Sequence, residues 1–157
     1  MNNAPPLVRS AYYVGPLLVW MLVIFGFSTD VASAEKTRPA VGGVLSRLFP
    51  GIARRLTRAQ LERVDWNLRK SAHVTEYAIL AILAFRAVAF GDPTFRNRNV
   101  VLPFLIGVLY AASDEYHQSF TASRGAKAAD VTFDAFGVTV GLLLCLWRHA
   151  AATRPSR

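Results

Sequence analysis

Three short segments of the chain carry side chains that could bind a ligand or catalyse a reaction. They contain imidazoles close to carboxylates, which act as general acids and bases or bind metal ions, and cationic groups, which bind phosphate. The candidate catalytic residues are His73, Glu76, Asp114, His117 and Asp134. The candidate ligand-binding residues are Lys70, Glu115, Gln118, Arg124 and Asp130.

The spacing within each segment indicates that these side chains share helix faces. Residues three or four positions apart lie on the same face of an α-helix. This spacing relates His73, Glu76 and Tyr77; Asp114, His117 and Gln118; and Asp130 and Asp134. No recognised zinc or di-iron spacing is reproduced, so neither a metal ion nor another cofactor is predicted.

The composition indicates a membrane protein. Of the 157 residues, 53% are hydrophobic and only 18% are charged, against about 25% in an ordinary soluble domain. The net charge is +8, and the basic residues flank apolar runs, a pattern typical of contact with anionic lipid headgroups. No RNP, zinc-finger or helix-turn-helix signature favours nucleic acid. The expected partner is therefore a membrane lipid.

The apolar runs predict an all-α fold of one domain, residues 1–157, with four transmembrane helices in a compact bundle. The predicted spans are about 11–28, 72–90, 100–117 and 131–147. The long connection between the first two spans begins with "STDVASAEKTRPAVGG", which predicts an irregular segment. An amphipathic, Arg-rich segment follows it and predicts a helix at the membrane interface that leads into the second span.

Four crossings would bring the polar segments together. The chain changes side at each crossing, so the start of span two, the end of span three and the start of span four share one membrane face. A carboxylate near the centre of a membrane helix costs roughly 2.5–3.5 kcal/mol, less near its end, so Glu76 and Asp134 need partners. We expect Glu76, His117 and Asp134 to lie within hydrogen-bond or one-water reach of each other. Gly137 and Gly141 extend the face of Asp134 and predict close approach of another helix.

The location predicted from the sequence is the inner (plasma) membrane, with several spans. Basic residues in the short flanks place both termini in the cytoplasm, which puts the polar segments on the outer face. Arg9, the first apolar run and "VASA" before Glu35 also resemble a secretory signal with a cleavage site. Because the run is longer than a usual signal core, we expect an uncleaved anchor.

The same residues resemble a known family. "RKSAHVTEYAIL" (69–80) is similar to the R-K-x-x-H-x-x-E-Y motif of VanZ-like membrane proteins. "YAASDEYHQSFTASRGAKAADVTFDAFG" (110–137) is similar to their D-E-x-H-Q-x-F, R and D-V-x-x-D-x-x-G pattern, and "FGFS" (25–28) resembles the start of the family's sequence. The chain departs from the family at "TAS" before Arg124, where members often carry a Pro-Gly turn. The family's namesake is associated with low-level resistance to the glycopeptide teicoplanin. The resemblance implies that the motif positions form a functional site, but it implies neither a reaction nor resistance.

Several hypotheses about the role of the polar segments remain open. They could be structural, tying helix ends together. They could bind a cell-envelope lipid or glycopeptide-related ligand, such as a phosphate-bearing or polyprenyl-linked headgroup, with Lys70 and Arg124 on the phosphate and Glu76, Asp114 and Gln118 on sugar or amide groups. They could form an enzyme that depends on acid–base chemistry or a metal. An ion-coupled carrier is a further reading, although no inverted repeat is visible. The substrate and the oligomeric state cannot be read from the sequence.

Overall fold

The computed structural model describes residues 5–28, 34–90, 96–120 and 128–153. These residues form six helices and no strand, as the all-α prediction requires. The helices are α1 (Pro6–Ser28), α2 (Ala34–Leu48), α3 (Pro50–Ala53), α4 (Arg58–Ala89), α5 (Arg98–Gln118) and α6 (Ala128–Ala152).

The long helix α4 begins at a capping box. The Gln60 backbone N–H donates to Thr57 Oγ1 at 3.3 Å, and the Thr57 N–H donates to Gln60 Oε1 at 2.8 Å, so two backbone donors at the helix start are satisfied. The helix ends where Phe90 adopts a left-handed conformation with φ of 46°. Its 32 residues span about 48 Å, more than the roughly 30 Å of a bilayer's apolar core. The last part of the predicted interfacial segment, from Arg58, is therefore continuous with the second span, whereas its first part lies in α2, α3 and the turn before α4.

The prediction of an irregular segment before α4 is wrong for residues 34–43, which belong to α2; residues 29–33 lie outside the described ranges. Pro39 removes one backbone hydrogen bond, and Gly42 and Gly43 have low helix propensity. Packing against α4 compensates, since a Cβ built on Gly42 would lie 3.9 Å from Leu61 Cδ2. Tertiary contact here outweighs the local preference of the sequence.

Helices α1 and α4 are antiparallel. The Trp20 indole N–H donates to the Glu76 carbonyl at 2.9 Å. Further along α4, the Arg86 guanidinium donates to the Tyr12 carbonyl at 3.2 Å. Residue numbers therefore rise along α4 as they fall along α1.

Helix α5 runs parallel to α1, on the other side of the bundle's core. The Tyr110 hydroxyl donates to the Met21 carbonyl at 2.5 Å, and two turns later Gln118 Nε2 donates to Ser28 Oγ at 3.0 Å. The two C-terminal ends consequently meet at the same end of the bundle.

Helix α6 runs parallel to α4 at very close range, as the predicted small-residue face requires. A Cβ on Gly137 would lie 3.0 Å from Val74 Cα and closer still to its carbonyl oxygen. A Cβ on Gly141 would meet the Ala78 backbone in the same way. Only glycine at these two positions lets the helix backbones pack at this distance.

Three of the described helices, α1, α4 and α6, are long and apolar enough to cross a membrane by length and composition. The third predicted span, about 100–117, corresponds to α5, whose 21 residues cover about 31 Å but include the polar run that ends at Gln118. Large apolar side chains are exposed along the bundle, among them Leu22, Leu109, Leu143 and Trp147. Such a surface is typical of helices in contact with lipid tails.

Candidate functional site

The directions of the helices bring one end of α1, α5 and α6 together with the middle of α4. We call this region the polar end of the bundle; it contains Ser28, Lys70, Gln118 and Asp130. Nine of the ten candidate residues belong to it or lie within two turns of it along their helices. Arg124 falls outside the described residues.

Two polar pairs join α4 to α6 at this end. Lys70 Nζ lies 2.5 Å from Asp130 Oδ1, and both side chains are partly exposed. One turn deeper, His73 Nδ1 lies 3.4 Å from Asp134 Oδ1. The two pairs lie one turn apart because α4 and α6 are parallel, so each turn of one helix faces the corresponding turn of the other.

The His73–Asp134 pair is loose for such a buried location. Its 3.4 Å separation exceeds the usual length of an N–H···O hydrogen bond, and the two atoms make no well-formed one. Asp134 is only 1% exposed, and neither of its carboxylate oxygens has a hydrogen-bond partner within the described part of the chain. Buried carboxylates normally have hydrogen-bond partners, so the Asp134 carboxylate is an exception.

A second polar set joins α5 to α1. Gln118 Nε2 donates to both Ser28 Oγ, at 3.0 Å, and Asp114 Oδ2, at 2.9 Å. Asp114 and Gln118 are 4% and 5% exposed, so they are interior groups. Asp114 is near enough to interact electrostatically with both His73 and Asp134, and this interaction links the two sets.

Tyr77 lies between these sets and was not among the candidate site residues. It is fully buried, its hydroxyl has no hydrogen-bond partner among the described residues, and it interacts electrostatically with Asp114 and Asp134. The signal in the sequence was its spacing, four residues after His73. Ser28 gave no signal of its own beyond its place at the end of an apolar run.

The expected direct hydrogen bond of Asp134 to Glu76 or His117 is absent among the described residues. Asp134 is paired with His73, and the His117 ring packs on Phe25 with 4.6 Å between ring centroids. Glu76 is half-buried and contributes to the electrostatic environment of His73. Glu115 is buried on α5 at 6% exposure.

No group of three or more His, Cys, Asp or Glu residues within the described ranges could hold a metal ion. The polar end contains carboxylate, imidazole and hydroxyl groups.

A groove runs along the outer surface between α4 and α6, beside Lys70. We call it the α4–α6 groove; its volume is about 700 Å³. Its lining residues are Trp66, Asn67, Lys70, Ser71, Val74, Thr75, Thr132, Phe133 and Phe136. The Lys70 ammonium lies 5.1 Å from the Phe133 ring centroid and 6.0 Å from that of Trp66. The groove thus combines a cation, aromatic faces, hydroxyls and an amide.

Fold and site together define a class: an all-α membrane protein whose helices enclose polar groups at one end. The chain belongs to the VanZ/LLP1 family, whose model matches residues 13–149. The match agrees with the resemblance of the two polar motifs. No curated protein and no solved structure is significantly similar to the chain.

Proposed function

We propose that this protein binds the phosphate-bearing headgroup of a membrane lipid, such as a polyprenyl-linked one, in the α4–α6 groove. The observation that carries the proposal is the groove itself, which has a lysine ammonium among aromatic and hydroxyl side chains on the outer surface of the bundle.

The groove suits an amphipathic ligand. Trp66 and Phe136 are 52% and 59% exposed and offer apolar faces to a lipid chain or a sugar ring. Asn67, Ser71 and Thr132 offer hydrogen bonds to a headgroup. Aromatic residues at a membrane interface commonly take this position because they have an apolar body and tolerate water nearby.

Charge favours a phosphate as the polar part of the ligand. Lys70 is already paired with Asp130, so a phosphate would compete with that carboxylate for the ammonium. A neighbouring cleft of about 480 Å³ shares Trp66 and Asn67 with the groove and adds Arg63. A headgroup at this junction would therefore contact two cations that lie about two turns apart on α4.

The proposal includes four membrane crossings in the inner (plasma) membrane. The alternation of helix directions supports it, because α1 and α5 run opposite to α4 and α6. Cysteines introduced at Glu62 and Ser119 of a Cys145→Ser protein should then react with a membrane-impermeant maleimide from the same side. Labelling from opposite sides would exclude a fourth crossing by α5.

Binding is tested by variants with opposite effects. Purified protein in detergent would be titrated with a polyprenyl phosphate and with phosphatidylglycerol, with phosphatidylcholine as the zwitterionic comparison. Lys70→Gln should weaken binding of the phosphate lipid about 10-fold or more, as expected for a charge-assisted contact. Asp130→Asn should strengthen it, by roughly 3- to 10-fold, because the competing carboxylate is neutralised.

The matched control is Arg58→Gln, which removes a cation from a 91% exposed side chain on the same helix. Its affinity should equal that of the wild type. Equal losses in Lys70→Gln and Arg58→Gln would mean that the lipid responds only to net charge. Weaker binding in Asp130→Asn would mean that the Lys70–Asp130 pair holds the helices together and does not serve a ligand.

A second candidate function is acid–base catalysis on the bound headgroup, favoured by the His73–Asp134 contact one turn below Lys70. A carboxylate that faces an imidazole orients it and stabilises its charged form, as general-base catalysis requires. His73→Gln should then abolish turnover of a bound phosphate lipid without changing its affinity. If the His73–Asp134 pair is purely structural, His73→Gln should instead reduce the amount of folded protein.

A further inference from the structure

We infer that Tyr77, Asp114 and Asp134 form a buried site for one exchangeable monovalent cation, either a proton or an alkali ion. The inference is independent of lipid binding, since these side chains do not line the α4–α6 groove. It rests on buried oxygen atoms from three helices whose hydrogen-bonding capacity is unused.

Four of the unused oxygens belong to one residue each of α4 and α5 and to one residue of α6. Both carboxylate oxygens of Asp134, Oδ1 of Asp114 and the hydroxyl of Tyr77 make no hydrogen bond within the part of the chain that the structure describes. The three residues are 1%, 4% and 0% exposed. Tyr77 interacts electrostatically with both carboxylates, so its hydroxyl belongs to the same site.

The charges around the site do not balance. If both were ionised, Asp114 and Asp134 would bring two negative charges, against at most one positive charge from His73. Lys70 is engaged by Asp130. Within about one turn of the three residues along their own helices, the other ionisable groups are Glu76 on α4 and Tyr110, Glu115, Tyr116 and His117 on α5. A buried net negative charge is unfavourable, and one added positive charge would relieve it.

The residues around the site restrict which cation could supply the positive charge. Leu80, Ala81, Ala111 and Val138 are completely buried and close the interior below it. Gln118 and Ser28 cover it towards the polar end. Oxygen ligands in a confined space suit a proton or a hard alkali ion. The inference does not require an organic cation.

The test measures the thermal unfolding of the full-length protein in detergent without added lipid. Sodium or potassium replaces choline at constant ionic strength, and the series is repeated from about pH 5 to about pH 8. If an alkali ion binds, the melting temperature should rise by roughly 3–6 °C at ten times its Kd. If a proton binds, the native state holds a proton that the unfolded state releases, so the melting temperature should rise as the pH falls.

Variants assign the effect to the site. Asp114→Asn and Asp134→Asn should each remove most of the dependence on cation or pH. Glu62→Gln, which neutralises an exposed carboxylate on α4, should retain it. Tyr77→Phe deletes only a hydroxyl and should shift the midpoint of the titration by roughly 3- to 10-fold.

Two results would overturn the inference. One is a wild-type melting temperature that responds to neither alkali ion nor pH. The other is an unchanged response in Asp114→Asn and Asp134→Asn, equal to that of Glu62→Gln. If the asparagine variants do not fold, Tyr77→Phe decides, because an unshifted midpoint would exclude its hydroxyl and the site with it.

Discussion

The close approach of α4 and α6 depends on two glycines, and adding one methyl group to either should separate the helices. A Cβ at Gly137 would lie 3.0 Å from Val74 Cα and 3.1 Å from its carbonyl carbon. A Cβ at Gly141 would lie 3.0 Å from Ala78 Cα. The obstructing atoms are backbone atoms, which cannot turn aside as a side chain can.

The size of the effect follows from these distances. Ordinary contact begins at 3.4 Å, and the carbonyl oxygens are closer still, so the helices must separate by roughly 1 Å. Overpacking of this kind costs roughly 1–3 kcal/mol, and the higher helix propensity of alanine returns up to about 1 kcal/mol. We expect Gly137→Ala and Gly141→Ala each to lose about 1–2 kcal/mol of unfolding free energy.

Thermal unfolding in detergent, followed by tryptophan fluorescence, measures this loss as a fall of roughly 3–8 °C in melting temperature. Gly15→Ala is the matched control, because a Cβ there would meet nothing within 4 Å. It should leave stability unchanged or raise it slightly through helix propensity. A Gly137→Ala protein as stable as Gly15→Ala would refute the packing argument.

A related substitution distinguishes backbone from side-chain obstruction. A Cβ at Gly107 would meet only Val138, with Cγ2 at 2.5 Å. Gly107→Ala should therefore destabilise the protein, and adding Val138→Ala should recover part of the loss by removing the obstructing methyl groups. Truncating the Val74 side chain should not rescue Gly137→Ala. If truncating Val138 rescued Gly107→Ala only as much as truncating Val74 rescued Gly137→Ala, the distinction between side-chain and backbone obstruction would be wrong.

Two contacts between α1 and α4 give the remaining predictions. Trp20→Phe removes the donor to the Glu76 carbonyl and should cost about 1 kcal/mol, measured by thermal unfolding. Arg86→Lys should cost about 0.5–1 kcal/mol, because the planar guanidinium lies 4.3 Å from the Tyr12 ring centroid and 5.5 Å from that of Tyr13, and lysine cannot stack on both.

The controls for these two changes lie on the surface. Trp147 is 69% exposed, so Trp147→Phe should not alter stability. Arg148 is exposed on α6, and Arg148→Lys should be equally neutral. If the buried and the exposed variants behaved alike, the α1–α4 contacts would have no part in holding the bundle together.

The local pattern of the sequence predicts much of the fold. Apolar runs of helical length predicted α1, most of α4 and α6, because the need to satisfy backbone groups in lipid leaves few alternatives to a helix. The glycines at 137 and 141 predicted a close helix contact, and the two motifs predicted the family. The local pattern gave a wrong prediction for α2. Its proline and glycines indicated an irregular segment, whereas packing on α4 stabilises a helix there.

The pairing of the polar side chains could not be predicted in the same way. Spacing places His73 and His117 on helix faces but does not fix the rotation of each helix about its axis. That rotation puts His73 beside Asp134 and turns His117 towards Phe25. The groove beside Lys70 likewise needs α4 and α6 side by side, and Tyr77 becomes a buried polar group only when three helices close around it.

The sequence by itself determined that the chain is helical, that it suits a membrane and that its polar groups cluster near helix ends, because these properties follow from residue type and periodicity along one helix. Only the tertiary structure decided which polar atoms meet and which remain unpaired. Those outcomes depend on differences of about 1 Å in the distance between helices, which is set by glycines whose partners lie far away in the chain.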